Sequence, residues 1–220
     1  MCPLPRTPKP LLCYVTDRRS LAGAPGLART LQLEKIAQAA TGGVDWIQLR
    51  EPDLSGRELA ELAGEAIRCA AAGAAIVIND RLDVACAAGA RGVHLGERSL
   101  PAKEAGRLVS LRCAPGSFLV GASAHSLEGA MLAEEGSADY VIFGPVYRTP
   151  SKAAFGEPQG VRRLAEVCRR LRIPVLAIGG ITLVNAGECL AAGAAGIAAI
   201  RLFQDATDLG AVVAELGKVS

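Results

Sequence analysis

The sequence predicts an α/β fold, a single (β/α)8 TIM barrel, and three observations support this prediction. Eight short runs of apolar or β-branched residues alternate along the chain with segments whose apolar residues recur every three or four positions. The apolar runs lack strict alternation, which is typical of parallel strands that helices cover on both faces. The length of 220 residues is usual for one barrel of this kind.

The eight predicted strands follow one another along the whole chain. They cover residues 11–17, 44–50, 74–80, 92–96, 118–124, 139–147, 174–181 and 196–203. Segments with helical spacing separate them, as in SGRELAELAGEAIRCAAAG and GVRRLAEVCRRL. We therefore expect a flexible tail over 1–10 and one barrel domain over 11–220. An open doubly wound sheet is the alternative, although no GxGxxG turn follows the first predicted strand.

The charge and the cysteine content limit the partners that the chain can have. Its 24 basic and 22 acidic residues leave a formal net charge of +2, which provides no field for nucleic acid or an anionic membrane. The seven cysteines form no CxxC pair, which indicates reduced thiols in the cytosol. We expect a cytoplasmic protein without a nucleic-acid or membrane partner, and the sequence leaves a homo-oligomer open.

Six of the predicted strands end in polar residues or paired glycines, at the face where barrel enzymes carry their chemistry. In chain order these residues are Gln48, Arg50, Glu51, Asn79, Asp80, His94, Glu97, Ser99, Ser123, His125, Thr149, Ser151, Lys152, Gly179 and Gly180. Because a closed barrel brings all these strand ends to one rim, we expect the side chains to converge on a single pocket.

Some of these residues also have purely structural interpretations. Arg50 and Glu51 could form an ion pair at the rim. Asn79 and Asp80 could cap the helix that follows them, a common use of both residue types. His94 could be a hydrogen-bonded core residue.

Two segments indicate phosphate binding. GPVYRTPSK (144–152) combines two hydroxyls and one ammonium group in a loop held by glycine and proline, and such donors suit a phosphate or a carboxylate. IGGI (178–181) follows the seventh predicted strand, where many barrels bind phosphate on backbone N–H groups. An ordinary surface turn is the alternative for the first segment.

Together these segments resemble the thiamine phosphate synthase and thiazole tautomerase superfamily over nearly the full length of the chain. The matching pieces are IQLRE, INDRLDVA, GVHLG, GASAHS, DYVIFGPVYRTPSK and AIGGI, in the order and with the spacing of the family. In the synthase branch, a pyrimidine diphosphate ester loses pyrophosphate and is captured by the nitrogen of a thiazole phosphate.

The resemblance to the synthase branch implies a role for most of the candidate residues. It implies that Gln48, His94 and Ser123 line the pyrimidine site, and that Arg50, Asn79 and Lys152 hold the pyrophosphate. It also implies Asp80 as a Mg²⁺ ligand, Thr149 and Ser151 beside the thiazole, and backbone around Gly179, Gly180, Ala198 and Ile200 on its phosphate.

The chain departs from the synthase pattern at three positions. Pro52 stands where that pattern has a lysine, and Ser99 stands where it has a second Mg²⁺-binding aspartate. A site with one carboxylate should hold Mg²⁺ more weakly unless substrate phosphates compensate. Arg201 stands where small polar residues are usual.

These departures make the chain resemble the tautomerase branch more closely. That branch aromatises a thiazole carboxylate phosphate by moving a proton, and its histidine and serine correspond to His125 and Ser126. A histidine suits this work because it titrates near neutral pH. We therefore expect a tautomerase first, with His125, Ser123 and Lys152 as catalytic candidates, a small phosphorylated thiazole as substrate and no cofactor. A Mg²⁺-dependent synthase is the alternative, and a non-catalytic binding homologue is a second one.

Overall fold

Eight parallel strands close into a barrel in chain order, with β8 pairing back onto β1. The computed structural model describes residues 9–21, 27–71, 73–111, 114, 116–149 and 157–219. The strands are β1 Leu11–Val15, β2 Trp46–Leu49, β3 Ala75–Asn79, β4 Gly92–Leu95, β5 Leu119–Ala124, β6 Tyr140–Phe143, β7 Val175–Ile178 and β8 Gly196–Ala199. The predicted (β/α)8 barrel is confirmed.

Helices connect the strands and cover the outside of the barrel. Within the described residues they are α1 Ala28–Thr41, α2 Gly56–Cys69, α3 Leu82–Ala88, α4 Ala102–Ser110, α5 Leu127–Glu135, α6 Gly160–Arg170, α7 Ala186–Ala191, α8 Arg201–Gln204 and α9 Leu209–Lys218, with a 3-10 turn at Arg18–Ser20. Small and aliphatic side chains on their inner faces pack on the sheet, as Leu59, Leu62 and Ala66 of α2 do. Among the described residues, none of the helices has the length and apolar character that crossing a bilayer requires.

The predicted strands are in the right places but are longer than the observed ones. The sixth ends at Phe143 because Pro145, two residues further on, has no N–H to donate to a ladder. The eighth was expected to run to residue 203, but it ends at Ala199 and the chain turns into α8 at Arg201. Of the predicted tail, residues 1–8 lie outside the described part of the chain.

A compact apolar plug fills the lower part of the barrel interior. It consists of Cys13, Val15, Trp46, Leu119, Tyr140, Ile142, Leu176 and Ala198. The rings of Trp46 and Tyr140 pack with their centroids 4.7 Å apart. Burial raises the pKa of the Cys13 thiol to about 12, as expected for a group that has lost contact with water.

Gly121 leaves the space that the Tyr140 side chain occupies. A Cβ atom at this position would lie 2.1 Å from Cζ of Tyr140, far inside van der Waals contact. The two residues are partners in the β5–β6 ladder, so neither can move away without disturbing the sheet.

We predict that Gly121→Ala lowers the free energy of unfolding by about 1–3 kcal/mol, because the added methyl group overpacks a rigid interior. Urea unfolding followed by circular dichroism measures this change. Gly106→Ala in α4 is the matched control, since a Cβ there meets no heavy atom within 4 Å. Equal stability of the two variants would contradict the packing argument.

Candidate functional site

Four neighbouring strands carry polar side chains into the upper part of the barrel interior. Gln48 follows the inward-facing Trp46 by two residues on β2, so it faces the same way. Asn79 at the end of β3 is the ladder partner of His94 on β4. His94 Nε2 lies 2.9 Å from Ser123 Oγ of β5. The polar positions predicted on these strands therefore lie side by side above the apolar plug.

His94 is both a core residue and a member of this polar group. It is 2 % exposed, and its ring stacks on that of Tyr140 at a centroid distance of 5.6 Å. Its Nδ1 atom lies 3.3 Å from the Tyr140 hydroxyl. The structural interpretation of His94 thus holds, while its second nitrogen orients Ser123.

The side-chain amide of Gln48 contains a buried donor that lacks an acceptor among the described residues. The residue is 3 % exposed, and none of the described residues accepts a hydrogen bond from its buried Nε2 atom. A buried donor without an acceptor costs free energy, so such a donor in a polar site points to a ligand atom that completes it.

Asn79 and Asp80 do not cap the helix that follows, which excludes their structural alternative. The N-cap of α3 is Arg81, and no side chain caps this helix. Asp80 is exposed and adopts a left-handed backbone with φ of 66°, while its N–H donates to the carbonyl of His94 at 2.8 Å. Its carboxylate is therefore presented at the rim.

A metal site made of protein side chains alone is not found among the described residues, which hold no group of three His, Cys, Asp or Glu placed to bind one ion. Asp80 provides one carboxylate at the rim. Mg²⁺ is commonly held by one or two carboxylates together with the phosphates of a substrate. This donor set fits a Mg²⁺ ion that arrives with a diphosphate.

The alternative of an Arg50–Glu51 ion pair at the rim is wrong, because Glu51 is buried, at 4 % exposure, and its ion pair is with Arg18. Its carboxylate accepts hydrogen bonds from Thr16 Oγ1 at 2.6 Å, from the Gln32 side chain and from the backbone N–H of Arg18 at 3.2 and 3.3 Å. Arg50 is exposed, and its N–H donates to Thr16 Oγ1 at 3.1 Å. Burial raises the pKa of Glu51, although these hydrogen bonds partly offset it.

A second buried amide, Gln204 of α8, fixes the turn after β1. Its Oε1 atom accepts from the Tyr14 hydroxyl at 2.9 Å and from the backbone of Asp17 at 3.1 Å. Its Nε2 atom donates to Ser20 Oγ at 2.6 Å and to the carbonyl of Asp17. Sequence reasoning missed both networks, and the only signal for them was a set of polar residues within apolar stretches.

The loop after β6 runs along the end of β7. Val146 and Tyr147 donate from their N–H groups to the carbonyls of Ile178 and Gly179, at 2.8 and 3.0 Å. Gly180 has a φ of 65°, and a Cβ there would lie 2.5 Å from the Arg148 carbonyl. Only glycine allows this approach, which brings the two predicted phosphate-binding segments together.

Thr149 follows at the partly buried end of this loop. The Tyr147 hydroxyl anchors the loop to α7 by donating to Glu188 Oε2 at 2.8 Å. Ser151 and Lys152, also predicted for this site, lie outside the described residues.

His125 follows β5 and contacts this loop. Its Nδ1–H donates to the carbonyl of Gly144, so a neutral ring carries its lone pair on Nε2. The His125 N–H donates to Glu97 Oε1 at 2.8 Å, and Ser126 caps α5. Glu97 therefore positions the backbone of the histidine.

The remaining predicted positions lie after β4, in β8 and at the start of α8. Ser99 Oγ accepts from the N–H of Gly96 at 2.9 Å and so closes a turn. Ala198 packs in the apolar plug, whereas Ile200 stands at the start of α8. Arg201 is the exposed first residue of that helix.

A closed (β/α)8 barrel with polar side chains gathered at the carboxyl ends of its strands defines the class of this protein as a barrel enzyme. Comparison with known proteins specifies the family. The model of the thiamine monophosphate synthase family matches residues 12–203, and the chain belongs to this family.

Individual relatives agree with this assignment. The chain is 43 % identical over 192 residues to the thiamine-phosphate synthase of Chlorobium luteolum, which covers 87 % of this chain and 84 % of the relative. It is 44 % identical over 193 residues to the thiamine-phosphate synthase of Methanocella arvoryzae, and this match covers 87 % of this chain and 89 % of the relative. Among solved structures, thiamine phosphate pyrophosphorylase from Pyrococcus furiosus matches with a TM-score of 0.81 and 32 % identity, over 97 % of this chain and 96 % of that one.

The raised pKa of Glu51 leads to a prediction about stability. The native state binds this proton more tightly than the unfolded chain, so the free energy of unfolding falls as the pH rises from the ordinary glutamate pKa through the raised native value. Glu51→Gln removes this contribution. Relative to the original protein, the stability of the variant should therefore increase with pH, from about pH 4 upward.

Urea unfolding of both proteins across this pH range tests the prediction. Glu61→Gln on the exposed side of α2 is the control for replacing a glutamate by glutamine at the surface. A stability difference between Glu51→Gln and the original protein that does not change with pH would show that burial does not perturb the pKa of Glu51.

Proposed function

We propose that this protein is a thiamine phosphate synthase that joins hydroxymethylpyrimidine diphosphate to thiazole phosphate and releases pyrophosphate. The observation that carries the proposal is the buried Gln48 amide, whose Nε2 lacks an acceptor among the described residues, in the same layer as the His94–Ser123 pair. Such a donor suits a ring nitrogen of a pyrimidine, which accepts a hydrogen bond, and the Ser123 hydroxyl can accept one from the amino group. The names of the relatives also favour the synthase over the tautomerase, which the sequence placed first.

The chemistry requires a diphosphate to leave. The bond between the pyrimidine methylene carbon and the diphosphate oxygen breaks, and the thiazole nitrogen forms a new bond to that carbon. Arg50 and Asn79 stand at the ends of β2 and β3, where they would stabilise the negative charge that develops on the leaving group. Lys152 is proposed for the same role.

Asp80 would hold the Mg²⁺ ion, which neutralises diphosphate charge when it is bound. Ser99 contributes no carboxylate, and its hydroxyl already closes the turn at Gly96. The substrate phosphates would therefore provide most of the Mg²⁺ ligands. Thr149 would lie beside the thiazole, and the backbone at Gly179, Gly180 and Ile200 would bind its phosphate.

The direct test incubates the purified protein with both substrates and Mg²⁺ and measures thiamine phosphate by mass spectrometry. Formation of thiamine phosphate with an equal amount of pyrophosphate supports the proposal. Absence of the product over a range of Mg²⁺ concentrations would overturn it.

We predict that Gln48→Leu raises the KM for the pyrimidine diphosphate about tenfold or more, because an apolar side chain cannot hydrogen-bond the ring. The KM for thiazole phosphate should change little. Gln38→Leu, on the exposed face of α1, is the matched control and should leave both constants unchanged. Equal KM values for the Gln48 variant and the original protein would remove Gln48 from the pyrimidine site.

A thiazole tautomerase is the second candidate, and the hydrogen bond from His125 to Gly144 favours it. With Nδ1 protonated, Nε2 of the neutral ring is the basic atom, and it could take a proton from a bound thiazole carboxylate phosphate and return it. This reaction needs no metal ion.

We predict that His125→Asn abolishes any tautomerase turnover while thiazole phosphate still binds, since an asparagine amide can hydrogen-bond but cannot take up and return a proton as an imidazole does. Ultraviolet absorption of the aromatic product measures turnover, and calorimetry measures binding. Unchanged turnover would exclude His125 from proton transfer.

A further inference from the structure

Arg18 directs its guanidinium group to the turn that follows β2. Its Nη2 atom lies 2.6 Å from Asp53 Oδ2, and its Nε atom lies 3.7 Å from Glu51 Oε2. These two carboxylates belong to the residues on either side of Pro52. The arginine of the β1 loop therefore stands over position 52, where the chain itself provides no cation.

Arg18 and Arg50 are held by the same pair of buried residues. Thr16 accepts from the N–H of Arg50 and donates to Glu51, and Glu51 accepts from the N–H of Arg18. Thr16 is 0 % exposed and Glu51 is 4 % exposed, so this link is shielded from water. It places two cationic residues on adjacent strand ends of one rim.

The hydrogen bonds of Arg18 leave donors for a ligand. Among the described residues its guanidinium group makes one hydrogen bond, from Nη2 to Asp53, and its buried Nε atom lies too far from Glu51 Oε2 for another. Its ion pair with Asp53 is partly exposed, with side-chain exposures of 19 % and 38 %. Exposed ion pairs contribute little free energy, so a diphosphate with several negative oxygens can share or displace Asp53.

We propose that Arg18 is a second arginine of the pyrophosphate site and binds the diphosphate together with Arg50. This proposal rests on the synthase function and extends it to a residue of the β1 loop. Guanidinium groups bind phosphate oxygens through paired N–H donors, which suits both the diphosphate ester and the released pyrophosphate. The Glu51–Thr16 pair acts as the positioning element for both arginines.

The proposal is tested by the affinity for inorganic pyrophosphate with Mg²⁺, measured by isothermal titration calorimetry and so independently of turnover. Arg18→Gln should raise the Kd about tenfold or more, because a charge-assisted hydrogen bond is lost. Arg18→Lys should raise the Kd for pyrophosphate less than Arg18→Gln does. Arg19→Ala on the same turn is the matched control, since Arg19 is exposed and contacts neither carboxylate, and its Kd should not change.

A lysine at position 52 provides a rescue that a purely structural role of Arg18 would not allow. Pro52→Lys should restore most of the affinity in the Arg18→Gln protein, and it should add less to the original protein, where Arg18 already fills this place. An unchanged Kd in Arg18→Gln, or no recovery with Lys at 52, would overturn the proposal.

The outcomes separate this proposal from the synthase function. If thiamine phosphate forms but the Kd does not depend on Arg18, the arginine proposal fails and the synthase stands. If pyrophosphate binds through Arg18 but no thiamine phosphate forms, the synthase function fails and the anion site stands.

Discussion

The pairing of β8 with β1 is the constraint on which the rest of the structure depends. The helical connections make the eight strands parallel and closure arranges them in a ring, so residues as distant in sequence as Thr16 and Gly180 reach the same rim. The closed sheet also fixes the height in the barrel at which each inward-facing side chain lies. Polar side chains on β2 to β5 form the upper layer, while aromatic and aliphatic side chains fill the space below. The strands therefore position the inner part of the site, and the loops after them provide its outer part.

The strand order and most of the candidate site could be predicted because they depend on local patterns. Short apolar runs followed by Gln48, Asn79 or His94 are visible in the sequence itself. The networks around Glu51 and Gln204 could not be predicted, because Glu51 meets Thr16 across 35 positions and Gln204 meets Tyr14 across 190. Arg50 is next to Glu51 in the sequence and so suggested itself as the partner of Glu51. In the structure the buried Glu51 carboxylate instead binds Thr16, Arg18 and Gln32, which the fold brings from other elements.

The synthase and tautomerase reactions both fit a barrel of this family, and single residues do not suffice to choose between them. The missing groups at positions 52 and 99 weighed against the synthase, but the names of the relatives favour it. A cation can be provided from another strand, and substrate phosphates can provide metal ligands. The absence of a family residue at one position is therefore a weaker argument than the set of groups that the fold brings to the same rim.

The packed rings of Trp46 and Tyr140 also limit how molecules reach the interior of this protein. Because these apolar side chains fill the lower interior, a ligand reaches the polar layer above them from the rim at the carboxyl ends of the strands. Reactants enter and products depart through the same mouth, so a product that lingers blocks the next turnover. In the proposed synthase reaction pyrophosphate would be such a product, and its tight binding at the rim would slow turnover even as it assists bond cleavage.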